Sequence, residues 1–425
     1  MIAPNSYGAL STTSANTIQG KAPTFTGQSG ANKLGFKVGN TLYSEAEGNI
    51  ESNTIKELDG GLSLNDFQIT TINVSDFNPL TDYLDEDGDE AHPTRPLTTG
   101  SYGYEWRDGN NNIIRDYTKT IGCGSGLSLP LKLKIDLNGV QVHSKYGNPS
   151  ASKSTTLTKT YQIGTASGIC FAAPSNLEVH TSKNGRAGGY TEDFIPNKGF
   201  KANPTLSRSK FPTTGYPGAK FQLVMTGSQT DYTYEVEATP VGSVEVNTDG
   251  FVTLNSKPRG TVTVTAKLKR DPRITHDYSF NPTTLWGEFK YNPNDRDGWY
   301  VYYLARSACG GEANLPTRRE LTNAKPSTVS EYKNPGMSTG YGTRFDSVAT
   351  RAISGQFFPE WGNFSGSSAI WTKENKGSKG SGEYYVVGVG FDDRGNYFES
   401  VGPGAIFYEK INQSRLKSAI CIDRS

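Results

Sequence analysis

The sequence has little histidine, methionine and cysteine, and it has no surplus of charge of either sign. Its 425 residues include 4 histidines, 3 methionines and 4 cysteines, and 43 basic side chains stand against 42 acidic ones. A near-neutral chain without a basic stripe lacks the electrostatic attraction that binding to nucleic acids or anionic lipids requires. We therefore expect no nucleic-acid partner and no direct insertion of this segment into a membrane.

Long apolar runs and catalytic motifs are also missing. No stretch of eighteen apolar residues occurs, so a membrane-spanning helix is not predicted. None of the histidines has a second histidine or a cysteine at metal-ligand spacing, and the chain has no G-x-S-x-G elbow, phosphate-binding Gly-Lys-Ser/Thr loop or H-E-x-x-H helix. These absences favour a protein that is not an enzyme and that uses no metal or cofactor.

Glycine, proline and tyrosine are abundant instead, with 48, 22 and 23 residues. This composition is typical of a turn-rich, β-rich extracellular protein rather than a helical cytosolic one. The length suggests about three domains of ordinary size. Residues 1–20 contain few large apolar side chains, so we expect a flexible leader there, followed by mainly β domains.

Alternating apolar residues between Leu127 and Leu137 predict a half-buried strand. The following Asn138-Gly139 has the composition of a tight turn, and Val140 and Val142 then predict a returning strand, so the sequence favours a hairpin at this point. The segment Tyr104-Glu-Trp106 is similar to the tryptophan strand of an immunoglobulin-like sandwich, which places Trp106 in a core.

A second set of alternating apolar residues runs from Val244 to Leu268 and is interrupted by turn residues at Asp249-Gly250 and Pro258-Arg-Gly260. This pattern predicts a meander of strands in a second β-sandwich. The proline-containing segment 280–297 has the composition of a loop, and we place a domain boundary near residue 285.

The segment that follows contains the end of one helix and the start of another. Apolar residues spaced three and four positions apart place Ala305 and Cys309 on one face of a predicted helix. Gly310 and Gly311 then end that helix. Thr317 and Glu320 have the spacing of a capping box, which makes Leu321 the first buried residue of the next helix. Two short helices followed by hairpins fit an α+β, C-type-lectin-like domain.

These residues also carry a family resemblance. The Leu315-Pro-Thr-x-x-Glu-Leu321 motif, the Trp371-Thr strand and the last cysteine, Cys421, resemble the terminal domain of the intimin and invasin family of bacterial surface adhesins. The segments Phe194–Phe200 and Phe211–Tyr216 are similar to the part of those adhesins that precedes this domain. The residues from Val244 to Leu268 resemble a bacterial immunoglobulin-like repeat.

The resemblance implies a mainly β chain of tandem immunoglobulin-like β-sandwiches followed by an α+β C-type-lectin-like domain. The expected domains are an immunoglobulin-like sandwich at 21–169, a bacterial immunoglobulin-like sandwich at 170–285 and a receptor-binding domain at 286–425. The cysteines Cys123, Cys170, Cys309 and Cys421 allow three pairings. The family's terminal-domain disulfide implies Cys309 with Cys421, which leaves Cys123 with Cys170 and indicates an oxidising compartment.

The function implied by the resemblance is adhesion. The chain is expected to be the exposed region of an adhesin that binds a host cell-surface protein or glycan receptor through its C-terminal domain, as a monomer. It would lie on the extracellular side of the bacterial outer membrane or be secreted. The alternative is a secreted virulence-modulating exoprotein of the same family, exported by a separate outer-membrane barrel. A lectin-fold enzyme is a further alternative, which would require a reactive cysteine pair.

The segment 327–350 combines a loop-like composition with aromatic and arginine side chains of the kind that dominate protein interfaces. We predict a receptor-binding surface there, with five candidate residues: Tyr332, Tyr341, Arg344, Phe345 and Asp346. The neighbouring Phe357, Phe358 and Trp361 are either core residues, which we favour, or part of a partner-facing patch. The acidic turn at residues 85–89 is either a calcium site or, as its departure from the EF-hand pattern favours, a solvated turn.

Overall fold

The structure, a computed structural model, describes residues 20–72, 74–180, 188–290, 301–324, 332–333, 341–342, 348–364, 369–375, 377, 382–388, 403–410 and 419–424. The chain forms two compact units, Met1–Ala166 and Ser167–Ser425. The boundary that the sequence suggests near residue 285 lies inside the second of these units.

Ten strands form the first unit: β1 (Thr24–Phe25), β2 (Gly35–Val38), β3 (Thr41–Tyr43), β4 (Ile55–Glu57), β5 (Phe67–Thr70), β6 (Tyr83–Leu84), β7 (Leu97–Thr98), β8 (Tyr102–Arg107), β9 (Leu131–Val142) and β10 (Thr155–Gly164). The main sheet has the order β4-β10-β9-β7, with β8 also paired to β9, and β4 runs parallel to β10. A second sheet has the order β3-β2-β5, and β1 pairs with β6. Short 3-10 helices cover Gln28–Lys33, Leu64–Asp66 and Val74–Asp76.

The hairpin predicted at Asn138-Gly139 is wrong. Strand β9 continues through these two residues, and the strand that returns beside it is β10. The pairing register shifts between Leu137 and Val140, and Gly139 has a φ of 68°, so the two residues form a bulge rather than a turn. Glycine with positive φ serves both structures, which is why the dipeptide alone could not distinguish them.

The core of the first unit lies against β9. The alternation that predicted the strand is confirmed, because Leu131, Leu133 and Ile135 are fully buried on one face. Trp106 on β8 is also fully buried, and its ring lies 5.0 Å from that of Phe67 in an edge-on arrangement. The prediction that Trp106 is a core residue is therefore confirmed.

The second unit begins with a two-layer arrangement of strands. Its strands are β11 (Ile169–Pro174), β12 (Phe194–Ile195), β13 (Gly199–Lys201), β15 (Ala219–Met225), β16 (Tyr232–Glu237), β17 (Val244–Val246), β18 (Phe251–Leu254), β19 (Val262–Leu268) and β20 (Thr275–Phe280), while β14 (Thr214–Gly215) lies in neither layer. One sheet has the order β12-β13-β11-β15-β18-β17 and the other β16-β19-β20. A 3-10 helix covers Gln229–Asp231.

The meander predicted between Val244 and Leu268 is correct in its first half. Strands β17 and β18 form a hairpin around Asp249-Gly250, where Gly250 has a φ of 74°. Strand β19 does not pair with β18, however, and joins the opposite sheet between β16 and β20. The inward residues Val252, on β18, and Val264, on β19, both belong to one buried core, so the turn at 258–260 crosses between the layers of a sandwich.

The remainder of the second unit adds β21 (Leu285–Lys290), α1 (Tyr302–Ala308), α2 (Arg318–Leu321), β22 (Tyr332–Lys333), β23 (Tyr341–Gly342), α3 (Phe357–Trp361), β24 (Ala369–Asn375), β25 (Glu383–Gly388), β26 (Ala405–Lys410) and β27 (Ala419–Asp423), with a 3-10 helix at Glu312–Asn314. Strands β24, β25 and β26 form an antiparallel sheet in that order, and β22 pairs with β23.

The segment 280–297, predicted as a loop, contains strand β21, so that prediction is wrong in part. Strand β21 pairs with β14, which directly precedes β15 of the sandwich in sequence, on one side and with the last strand, β27, on the other. Its apolar residues Leu285 and Trp286 are adjacent rather than alternating, because both faces of this strand are covered. The sheet β14-β21-β27 thus joins the sandwich to the end of the chain.

The helix signals between residues 302 and 321 are confirmed. Helix α1 ends at Ala308, and Gly310 and Gly311 follow with φ values of 66° and 137°. At α2 the hydroxyl of Thr317 accepts from the N–H of Glu320 while the Glu320 carboxylate accepts from the N–H of Thr317, and Leu321 is fully buried. The described chain is mostly strand with short helices near its end, which confirms the predicted fold class.

Candidate functional site

The predicted receptor-binding residues fall on a short hairpin and the segment that follows it. Strands β22 and β23 are antiparallel, with Tyr332 opposite Gly342 and Lys333 opposite Tyr341. The pairing makes the backbones of Tyr332 and Tyr341 diagonal neighbours on the two strands. Arg344, Phe345 and Asp346 lie outside the described residues.

The two ends of this segment are fixed to each other at its base. The side chain of Asn323 donates to the carbonyl of Thr350 at 2.9 Å and accepts from the N–H of Thr350 at 2.8 Å. The adjoining Ala349 is fully buried, and its N–H donates to the carbonyl of Pro403 at 3.1 Å. Asn323 and Thr350, which flank this segment, are therefore held at one point of the described structure.

The carboxyl group of Glu360, on α3, is fully buried. It accepts five hydrogen bonds: from the N–H and hydroxyl groups of Thr213 and of Thr214, and from the N–H of Gly355. Burial raises the pKa of Glu360, and these donors oppose the rise. Because Thr214 lies on β14 and Thr213 directly precedes it, the carboxyl group ties α3 to that strand.

A buried arginine completes the network. Arg351 is fully buried, and its Nη2 donates to the carbonyls of Asn176 at 2.9 Å and Glu360 at 3.2 Å. Its guanidinium lies 4.6 Å from the ring centre of Phe194 and 5.7 Å from that of Phe200, within the range of cation–π attraction. Desolvation lowers the pKa of Arg351 to about 9.

Phe357, Phe358 and Trp361 are core residues. The first two are fully buried and Trp361 is 3% exposed, so the alternative of a partner-facing patch is wrong for them. The indole N–H of Trp361 donates to the hydroxyl of Thr214 at 3.0 Å, and its ring lies 4.9 Å from that of Phe211. These aromatic residues extend the same junction and leave the segment 327–350 as the remaining candidate surface.

The terminal region is closed by a disulfide between Cys309 and Cys421, whose Cα atoms lie 5.1 Å apart. This is the pair that the family resemblance implies. Cys123 and Cys170 are also disulfide-bonded, so the chain has no free cysteine. Beside the bridge, Arg424 donates to the carboxylate of Glu320 at 2.8 Å and to the carbonyl of Ala313, also at 2.8 Å, which fixes the chain end to the helices.

The acidic turn at residues 85–89 uses its carboxylates within the fold. Lys21 donates its backbone N–H to Asp87 and its Nζ to Glu86, each at 2.5 Å, and the Tyr83 hydroxyl donates to Asp85 at 3.3 Å. Across the described residues, no group of three or more His, Cys, Asp or Glu side chains has the arrangement to hold a metal ion. Nor does any helix in those ranges have the length and apolar character needed to cross a membrane.

Sequence reasoning missed Arg351, Glu360 and Asn323. The signal for the first two was a charged residue beside a dense aromatic cluster, as in Phe357-Phe-Pro-Glu-Trp361. In such surroundings a carboxylate must be hydrogen-bonded, because an unpaired buried charge is too costly. The four donors from Thr213 and Thr214 are more than 140 residues away in sequence, so they could not be named in advance.

The architecture is that of a sandwich-containing β protein with a disulfide-closed α+β terminal region. Within it, residues 192–280 match the family model of invasin domain 4. The resemblance to the intimin and invasin family is therefore confirmed, on a domain that includes both layers of the sandwich in the second unit.

Solved structures of invasin and of intimin are also similar to this chain. The crystal structure of invasin, a bacterial integrin-binding protein, matches at 15% identity with a TM-score of 0.35, over 92% of this chain and 59% of that one. The EHEC O157:H7 intimin mutant matches at 19% identity with a TM-score of 0.29, over 52% of this chain and 92% of that one. The intimin–Tir90 complex matches at 16% identity with a TM-score of 0.31, over 60% of this chain and 100% of that one. This chain thus spans 59% of the invasin chain that it matches.

Proposed function

We propose that this chain is the exposed region of an intimin/invasin-like adhesin and that it binds a host cell-surface receptor through residues 286–425. The observation that carries the proposal is the invasin domain 4 match at residues 192–280, continuous with a disulfide-closed terminal region. Invasin is a bacterial integrin-binding protein and intimin forms a complex with Tir90, so a protein receptor is the first partner to test for this chain.

The joint between sandwich and terminal region supports this role. The buried Glu360 network and the sheet β14-β21-β27 join the described parts of the terminal region to the preceding part of the second unit. A recognition surface on such a mount loses little conformational freedom when it binds. We place that surface on the segment whose ends meet at Asn323 and Thr350.

The test is host-cell binding by the full chain. The candidate residues Tyr332, Tyr341, Arg344, Phe345 and Asp346 are replaced by alanine, singly and together. The combined variant is expected to weaken binding at least about tenfold, because a few aromatic and arginine side chains usually carry most of an interface's energy.

The matched control replaces two threonines on the polar face of the sandwich in the same unit, Thr263→Ala and Thr265→Ala on β19. These side chains bond to Ser279 and Asp277 at the surface, and their loss is expected to leave cell binding unchanged. If the combined variant stays folded by circular dichroism and binds host cells as the parent does, the proposed surface is wrong. If the parent binds no host cell, the adhesin function is wrong.

A further inference from the structure

Three polar side chains, those of Lys159, Asn32 and Glu45, lie close together in the first unit. The Nζ of Lys159 donates to the carboxamide oxygen of Asn32 at 2.9 Å and to Oε2 of Glu45. Lys159 lies on β10, Asn32 on the 3-10 helix before β2, and Glu45 directly after β3. The amine of Lys159 thereby contacts both a carboxamide and a carboxylate.

The surrounding backbone holds this cluster in place. The N–H of Ala46 donates to the carbonyl of Asn32 at 2.9 Å. Two residues beyond Lys159, the fully buried Tyr161 donates its hydroxyl to the carbonyl of Leu34 at 2.6 Å and accepts from the N–H of Glu45 at 3.3 Å. The three segments that supply the side chains are therefore fixed to one another independently of the side chains themselves.

The carboxylate is also oriented. Its other oxygen, Oε1 of Glu45, accepts from the N–H of Ser52 at 2.8 Å and from the Ser52 hydroxyl at 2.5 Å, which leaves Oε2 for Lys159. The side chains of Lys159 and Glu45 are 13% and 21% exposed. On the adjacent strand, Lys134 and Asp136 form an ion pair at 2.8 Å whose lysine is 47% exposed. The first pair is the more sheltered, and it has a carboxamide beside the amine.

We propose that Lys159 and Asn32 form an intramolecular isopeptide bond, with Glu45 as the group that moves the proton. An amine held against an amide carbonyl has a high effective concentration, which is the largest contribution that positioning can make to such a reaction. The carboxylate contributes as a general base and then as a general acid.

The atoms and charges balance without any other reactant. The Lys159 ammonium gives a proton to Glu45, and the free amine attacks Cγ of Asn32 to form a tetrahedral intermediate. Glu45 gives its proton to Nδ2, and the Cγ–Nδ2 bond breaks to release ammonia. The ammonia takes up the second proton that Nζ must lose and leaves as ammonium. The product is an amide between Nζ of Lys159 and Cγ of Asn32, and no oxidant or reductant is consumed.

The resting state sets the expected rate. Burial raises the pKa of Glu45, but hydrogen bonds from Lys159 and Ser52 outweigh it and bring the pKa to about 2. The ion pair is therefore the dominant form, and the reactive neutral pair is a minor one. A slow reaction suffices, because each molecule forms the bond once and hydrolysis of an amide in a folded protein is slower still.

The bond would close most of the first unit into a covalent ring, since the residues it joins are 127 positions apart. Unlike a disulfide, this link is insensitive to reduction. It would join the segment before β2 to the last strand of the unit, β10.

The test is the intact mass of the full chain after reduction of its disulfides. The parent is expected to be lighter than its sequence by about 17 Da, the mass of one ammonia. Peptide mapping is expected to find one branched peptide that joins Asn32 to Lys159. Lys159→Arg and Asn32→Ala are expected to have their full sequence masses. Most molecules of Glu45→Gln are also expected to have the full sequence mass, because the proton acceptor is gone.

Two further variants make the result decisive. Lys134→Arg removes the neighbouring exposed lysine and is expected to keep the parent's mass deficit. Asn32→Asp keeps a carbonyl for attack and expels water instead, so its expected deficit is about 18 Da, one water. A deficit in that variant also shows that the substituted chain folds.

Two outcomes would overturn the proposal. One is a parent with its full sequence mass. The other is a deficit that persists in Lys159→Arg, because ring closure at an Asn-Gly step such as Asn138-Gly139 loses the same ammonia without involving a lysine.

Discussion

The two compact units differ in where they place their interacting charged side chains. The second unit buries Arg351 and Glu360 completely, among aromatic rings and backbone donors. The first unit holds Lys159 and Glu45 near its surface, beside a core sheet whose inward residues are apolar. The comparison shows two ways to join distant segments. In the second unit, hydrogen bonds to the buried carboxyl group of Glu360 join the segments. In the first unit, apolar residues packed along β9 join them, and the polar cluster of Lys159 and Glu45 lies near the surface.

The largest effect is expected at the buried carboxyl. Glu360→Ala removes the acceptor for five hydrogen bonds and leaves the N–H groups of Thr213 and Thr214 unpaired in the interior. Loss of one member of such a buried network costs about 3–5 kcal/mol in the free energy of unfolding. Hydrogen exchange followed by mass spectrometry measures this loss peptide by peptide. It is expected in residues 167–425 and not in the first unit.

The matched control is an exposed ion pair in the same unit. Lys267→Ala breaks the contact with Glu235 at 2.7 Å on the solvent face of β19 and is expected to change stability by less than about 1 kcal/mol. Equal effects of Glu360→Ala and Lys267→Ala would contradict the distinction between hidden and exposed charges on which the comparison depends.

A smaller effect is expected from acid on the second unit. His180 is 3% exposed, and desolvation together with the nearby charge of Arg351 lowers its pKa to about 3. Because the folded pKa lies below the unfolded one, the unfolded state binds the proton first. The contribution of neutral His180 to the free energy of unfolding is therefore complete above pH 6.5, and it is lost as the pH falls from 6.5 towards 3.

The measurement is urea unfolding of the parent and of His180→Leu at pH 7 and pH 5. The parent is expected to lose about 2 kcal/mol more than the variant between these two values, since each pKa unit corresponds to about 1.4 kcal/mol. If both proteins lose the same amount, His180 is not the group responsible.

The smallest effect is expected at the bulge in the first unit. Gly139→Ala places a Cβ about 3 Å from the backbone of Gly100 at a φ of 68°, so the cost is expected to be about 1–2 kcal/mol. Gly103→Ala on the neighbouring strand β8 is the control, since a Cβ there meets nothing within 4 Å. Thermal unfolding of the two variants decides the point. If Gly139→Ala is as stable as Gly103→Ala, the positive φ that the bulge requires at residue 139 is contradicted.

The features that sequence could predict are those encoded by neighbouring residues. The capping box at Thr317 and Glu320 depends on a three-residue spacing, and the β9 alternation depends on every second residue, so both could be predicted. The bulge at Gly139 could not, because its identity depends on which strand pairs with β9, and that strand lies beyond residue 154.

The candidate site divides in the same way. The aromatic and arginine content of residues 327–350 marks a surface by composition alone, and that assignment stays a prediction. The anchor at Asn323 and Thr350 and the donors to Glu360 come from segments far apart in sequence, so only the folded arrangement identifies them. The pair Lys159 and Asn32 was missed for the same reason.

The bridge between Cys309 and Cys421 has a consequence for proteolysis. It encloses the 111 residues between the two cysteines, which are 112 positions apart. A single cut by a host protease at any bond between them creates two new chain ends but releases no fragment until the cystine is reduced. Even then, β27 stays paired with β21 and so with the sandwich. On a non-reducing gel the nicked protein is therefore expected to migrate as one species of full mass.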